Sequence, residues 1–144
     1  MAQQYAPLKR KTDLNRSLIQ TRRWVEQVVV GLTLCPFAAA PMLAEEIRYA
    51  ASNTEDPHEM LAGLLGEIEH LEAAESPQTT LLVFPRGLSD FDDFLDLFAA
   101  AEALLEATGH AHRYQLVSFH PDYRFADAPP DDPANFTNRS PHPT

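Results

Sequence analysis

Thr79-Thr80-Leu81-Leu82-Val83-Phe84 is a short apolar run closed by Pro77 and Pro85, as expected of a strand buried in a sheet. Downstream, Ser89 opens a predicted helix. Phe91, Phe94, Leu95, Phe98, Ala101 and Leu105 form its core face, Asp92, Asp93, Asp96, Glu102 and Glu106 turn to water, and Gly109 closes it. Upstream lies another helix start, with Asp56 as N-cap, Pro57 at the first helical position and Glu59 placed to complete a capping box. Leu61, Leu64, Leu65, Ile68 and Leu71 give that helix one apolar stripe.

Before it, Glu45–Ala51 alternates Ile47, Tyr49 and Ala51 with Glu46 and Arg48, which reads as a half-exposed strand, a short helix being the alternative. From Ser17, the spacing of Leu18, Thr21, Val25, Val28 and Leu32 predicts an amphipathic helix of about four turns, ended by Gly31 and then Pro36. Tyr114–Phe119 is the last predicted strand. Helix and strand therefore alternate three times, with crossovers long enough for parallel strands. This order predicts an α/β layered sandwich with a small, mainly parallel sheet and crossover helices. It forms one domain over residues 17–144, preceded by a basic flexible arm over 1–16 and ending in a proline-rich loop over 120–144.

The composition excludes several classes. With 44% hydrophobic and 22% charged residues the chain is globular in type, and no apolar run approaches the ~18 residues of a membrane span. No secretory leader is visible and there is one cysteine, which together predict a cytoplasmic protein in a reducing compartment. Net charge is −10, yet Lys9, Arg10, Lys11, Arg16, Arg22 and Arg23 all lie in the first 23 residues beside one acid, Asp13. The body is strongly acidic and repels phosphate backbones, so neither nucleic acid nor membrane is an expected partner.

In parallel sheets ligands sit outside the carboxyl ends of strands, which puts Phe84-Pro85 and Phe119-His120-Pro121 on one functional edge. His120 is well placed there as an acid–base group or ligand, or as a strand cap. Cys35, in Leu34-Cys35-Pro36, has two chemical readings and a plain one. Trailing the first helix it would be a poor nucleophile, whereas capping a helix opened by Pro36 it would be a stabilised thiolate. Otherwise it is a small buried hydrophobe. Cys-Pro is also a weak match to haem-responsive motifs.

Arg124 and Arg139 flank Asp127, Asp131 and Asp132, and either grip an anionic group or pair with those aspartates. Asn135 and Asn138 divide between turn formation and ligand contact. Asp122 stands near His120, but no histidine spacing matches a zinc pattern, and metal content is left open. There is no Gly-rich phosphate loop and no Gly-x-Ser-x-Gly elbow.

One function that fits is an enzyme with Cys35 as nucleophile, His120 as base, and Asp122, Arg124, Asn138 and Arg139 holding a small anionic substrate. The alternative is a non-catalytic module binding an anion, a nucleotide or haem; a third is a protein-interaction domain. The segments Thr21–Ala38, Thr79–Pro85 and Leu116–Pro143 together resemble a family called domain of unknown function 1415. The likeness rests most on Cys35-Pro36-Phe37, Phe119-His120-Pro121 and Asn138-Arg139-Ser140-Pro141. The resemblance implies an intracellular bacterial protein and brings no reaction with it. It also implies further helix beyond Thr144, hence a truncated chain with an uncovered sheet face open to self-association.

Overall fold

The computed structural model describes residues 6–75 and 79–144, with side chains from Thr12 onward. The boundary expected at Pro77 and the side chains of Lys9, Arg10 and Lys11 lie outside the described residues. Helix α1 spans Ala6–Trp24 and passes into a π-helical segment, Val25–Val30. A short helix α2 (Ala39–Leu43), strand β1 (Ile47–Ala51), helix α3 (Pro57–Ala73), strand β2 (Thr79–Val83) and helix α4 (Phe91–Ala107) follow. A 3-10 helix, Pro133–Asn138, is the last regular element.

β1 and β2 pair in parallel, with Ile47 opposite Thr79 and Ala51 opposite Val83, across the α3 crossover. This is the expected α/β layering around a small parallel sheet. Side chains alternate across it. Ile47, Tyr49 and Leu81 pack on Trp24, Val25 and Val29, while Leu82 and Phe84 pack with Met60, Leu88 and Phe94. α1 therefore covers one face, and α3 with α4 the other. Arg48 turns to the α3 side, where its Nε donates to Glu67 Oε2 at 2.7 Å. That bond, more than the ion-pair attraction, raises the Arg48 pKa.

The first helix differs most from expectation. It starts at Ala6, upstream of Ser17, through a segment whose Lys and Arg residues are good helix formers. The buried residues are Ser17, Thr21, Trp24, Val25 and Val29, whereas Leu32 is exposed. The hydroxyls of Ser17 and Thr21 are satisfied by carbonyls four residues back, at Asp13 and Ser17, so two small polar residues can sit inside. The valine run takes π geometry, whose extra residue per turn shifts the phase of the apolar stripe.

Gly31 does not end this helix, for it keeps right-handed helical angles. Thr33 does so at φ 54°, with Thr33 N–H bonded to Val30 O and Leu34 N–H to Val29 O. That is a Schellman closure with a β-branched residue where glycine is usual. Gly109, at φ 75°, closes α4 as expected.

The remaining caps show small shifts. Asp56 accepts from His58 N–H and Pro57 opens α3, but Glu59 accepts from Thr54 Oγ1, and Thr54 Oγ1 in turn takes the Asp56 N–H. The expected capping box is thus replaced by a relay through Thr54. α4 is capped by Asp90 rather than Ser89, its carboxylate accepting from Asp92 and Asp93 N–H. Asp90→Ala should lower unfolding free energy in urea by about 1 kcal/mol with little change in far-UV circular dichroism.

Tyr114–Phe119 is not a strand of the sheet. The run has neither helix nor turn, and its main chain bonds only outside the sheet: Tyr114 N–H to His110 O, Ser118 O to Asn138 Nδ2, and Phe119 to Thr144. β2 gains no third strand because Pro143 and Thr144 enter between them. Phe84 N–H donates to Pro143 O at 2.9 Å, while Phe119 and Thr144 exchange two bonds of 3.0 Å.

Candidate functional site

The tail beyond Phe119 folds back using the residues the sequence singles out, and most of them are used to hold backbone. His120 is fully buried. Its Nε2 lies 2.8 Å from Leu88 O and must donate, which leaves Nδ1 to accept the Asp122 N–H at 3.0 Å. The imidazole thus ties the loop before α4 to the turn after Phe119, with its ring 5.2 Å from those of both Phe91 and Phe94.

Arg139 donates from Nε to Tyr123 O and from Nη2 to Pro130 O, and its guanidinium lies over the Phe136 ring. It holds main-chain carbonyls and not the aspartates of one of its two readings. Asn135, also fully buried, accepts from Phe125 N–H and donates to Pro129 O. Asn138 Nδ2 donates to Ser118 O at 3.0 Å, and the Asn138 main-chain carbonyl accepts the His120 N–H. Each amide side chain copies a missing strand or turn partner. Asp122 and Arg124 are exposed, with no side-chain hydrogen bond or ion pair among the described residues.

His142 anchors the end of the tail to α1 through Nε2 and Gln20 Oε1, 2.7 Å apart. Burial lowers its pKa.

Cys35 lies elsewhere, against Trp24, Val25 and Val29 on the α1 face. It neither trails the helix, which closes at Thr33, nor caps α2, whose N-cap is Ala38. Its carbonyl instead closes a turn with Ala38 N–H. The Cys35 side chain packs in the α1-side cluster, which also takes in Phe119, and the His120 ring packs against the α4 aromatics.

Cys35 does line a groove of about 600 Å³. The groove runs along the edge of β2 that faces away from β1, bounded opposite by Gln115, Leu116 and Val117. Trp24 and Val29 wall it from the α1 side, Leu64 and Phe98 from the helices opposite, and Thr144 and Asn138 stand at one end. No lysine, arginine, aspartate or glutamate is among its lining residues. Buried polar atoms without a partner among the described residues include Trp24 Nε1 and Thr80 Oγ1, both on groove residues.

Sequence reading passed over Trp24 and Thr80. The available signal was in Thr79–Phe84 and Leu116–Phe119, two apolar runs that both need neighbours and are not adjacent. Among the described residues no three or more His, Cys, Asp or Glu side chains gather to hold a metal ion, and no helix is long and apolar enough to cross a membrane.

A parallel strand pair between helical layers, with an uncharged groove along its open edge, defines a small α/β domain with an apolar cleft. The chain belongs to the family described as "Protein of unknown function (DUF1415)", whose model matches residues 17–144. No curated protein and no solved structure matches it.

Two outcomes follow from the tail. His120→Ala leaves Leu88 O and Asp122 N–H unpaired around a cavity and should cost about 3 kcal/mol or more in urea unfolding, while His120→Phe, which keeps the ring volume, should cost about 2 kcal/mol. His142 has a folded pKa below its unfolded value of about 6.5, so its contribution is complete above that pH and is lost as pH falls through the folded value. The urea midpoint should therefore drop more between pH 7 and pH 5 in the natural chain than in His142→Gln.

Proposed function

We propose that this domain is a non-catalytic binding module whose site is the groove beside β2, and that its ligand is apolar and uncharged. The groove's lining carries the reading: about 600 Å³ of space walled mainly by aliphatic and aromatic side chains, without one charged side chain. A phosphate or carboxylate there would meet no cation, which disfavours the anion and nucleotide forms of the idea.

The Cys/His enzyme is less well supported. Both His120 nitrogens already bond main chain, leaving no free nitrogen to take a proton from a thiol. Arg139 is equally occupied.

Cys35 serves as the reporter, because it is the single thiol and lines the groove. Nile red, a neutral apolar dye, should bind at one equivalent with enhanced fluorescence and slow alkylation of Cys35 by iodoacetamide. Val117→Asp, at a half-exposed groove position, should weaken dye binding about tenfold or more without unfolding the chain. Dye binding that neither protects Cys35 nor responds to Val117→Asp would sink the assignment.

A further inference from the structure

We infer that residues 35–44 form a hinged lid, and that a ligand entering the groove draws it closed about Thr33 and Glu45, bringing Phe37 down over the bound molecule. This rests on the reading of the groove as a binding site and gives that site a moving wall. The segment reads Cys-Pro-Phe-Ala-Ala-Ala-Pro-Met-Leu-Ala, without one charged side chain. A connection running over the surface is ordinarily polar. Here Phe37 is 82% exposed and Leu43 77% exposed. Phe37 nevertheless lines the groove, together with Cys35, Ala38 and Pro41. Apolar area held at the mouth of an apolar groove is taken out of water when that wall closes on an occupant.

The segment is lightly attached. Its main chain bonds within itself and to the two residues that follow it: Ala38 N–H to Cys35 O, Met42 N–H to Ala38 O, Ala44 N–H to Ala40 O, Glu45 N–H to Met42 O and Glu46 N–H to Pro41 O. Among the described residues no side chain from 33 to 45 makes a hydrogen bond or ion pair. Packing holds it, through Cys35, Ala38 and Met42 against Trp24, Val25 and Val29. Two of those three are small, and methionine is the most adaptable of the apolar side chains.

Its ends are strained. Thr33, at φ 54°, and Glu45, at φ 56°, are the non-glycine residues of positive φ among the described residues, and they bracket this segment. Each occupies the left-handed position of a Schellman closure, where Leu34 N–H reaches back to Val29 O and Glu46 N–H to Pro41 O. Glycine takes that conformation freely, whereas a side chain resists it and a β-branched one resists it most. Strain of this kind collects at ligand clamps and switches. A pivot returning both residues to negative φ releases it, so the lid is biased toward closure and an occupant supplies the remaining contact area. The second joint adjoins Glu46, whose carbonyl takes Thr79 N–H at the start of β2, while the tail is bonded at the other end, to Phe84.

The test uses the intact chain with Nile red as probe. Neither Thr33 nor Glu45 lines the groove, so the double variant Thr33→Gly, Glu45→Gly changes the joints and leaves the walls as they are. Glycine relieves the strained form alone, so this variant should have a higher urea midpoint and bind the dye about tenfold more weakly. Phe37→Ala should leave the urea midpoint unchanged, its side chain being exposed, and release the dye about tenfold faster. In the natural chain, dye binding should speed hydrogen exchange at the Leu34 and Glu46 amides, whose bonds open as the joints turn. A glycine pair with no higher midpoint, or with unchanged dye affinity, would overturn the lid and leave the apolar site standing. So would unchanged exchange at both amides, or dye release from Phe37→Ala at the natural rate. No dye binding to the natural chain would overturn the lid and the site together.

Discussion

The arrangement depends on where the main chain of Pro143 and Thr144 lies. By bonding Phe84 and Phe119 together, two residues at the end of a long irregular tail set the spacing between the sheet and the segment that follows α4. Buried main-chain groups must find partners, and here they find them across the tail rather than in a third adjacent strand. His120 and Asn138 secure the same junction from its far side, the imidazole by reaching Leu88 and the amide by covering the outer edge of Ser118–His120.

Polar residues in an irregular segment invite a catalytic reading, and the tail illustrates why that reading is incomplete. A loop without sheet or helix must satisfy its amides and carbonyls individually, and side chains able to do so are His, Asn, Arg and Asp, the same set that performs catalysis. Arg139 spans Tyr123 and Pro130, Asn135 spans Phe125 and Pro129, and Asp132 caps the 3-10 helix by accepting from Ala134 N–H. Prolines contribute by fixing φ and offering carbonyls without donors.

Much of the layering was legible in the sequence. Apolar period and caps placed α3, β2 and α4 closely, because Asp56-Pro57, Pro85 and Gly109 act locally. Where competing local solutions existed the reading slipped, as with Thr33 in place of Gly31 and Asp90 in place of Ser89. The fate of Tyr114–Phe119 could not be read that way. Whether an apolar run joins a sheet depends on what enters beside it, and Thr144 is far from β2 in sequence though next to it in space. The site was hidden for a related reason: Trp24, Thr80 and Val117 are unremarkable singly and acquire meaning only as facing walls.

Two bare strand edges around an apolar slot would ordinarily make copies of a protein stick to one another. This chain carries ten more negative than positive charges, and Asp92, Asp93, Asp96, Glu102 and Glu106 lie exposed along α4, the helix that helps wall the slot. Copies approaching edge to edge therefore meet as like-charged bodies before their main chains come within bonding distance. That repulsion acts at low salt and near neutral pH, and is withdrawn wherever the carboxylates are screened or protonated.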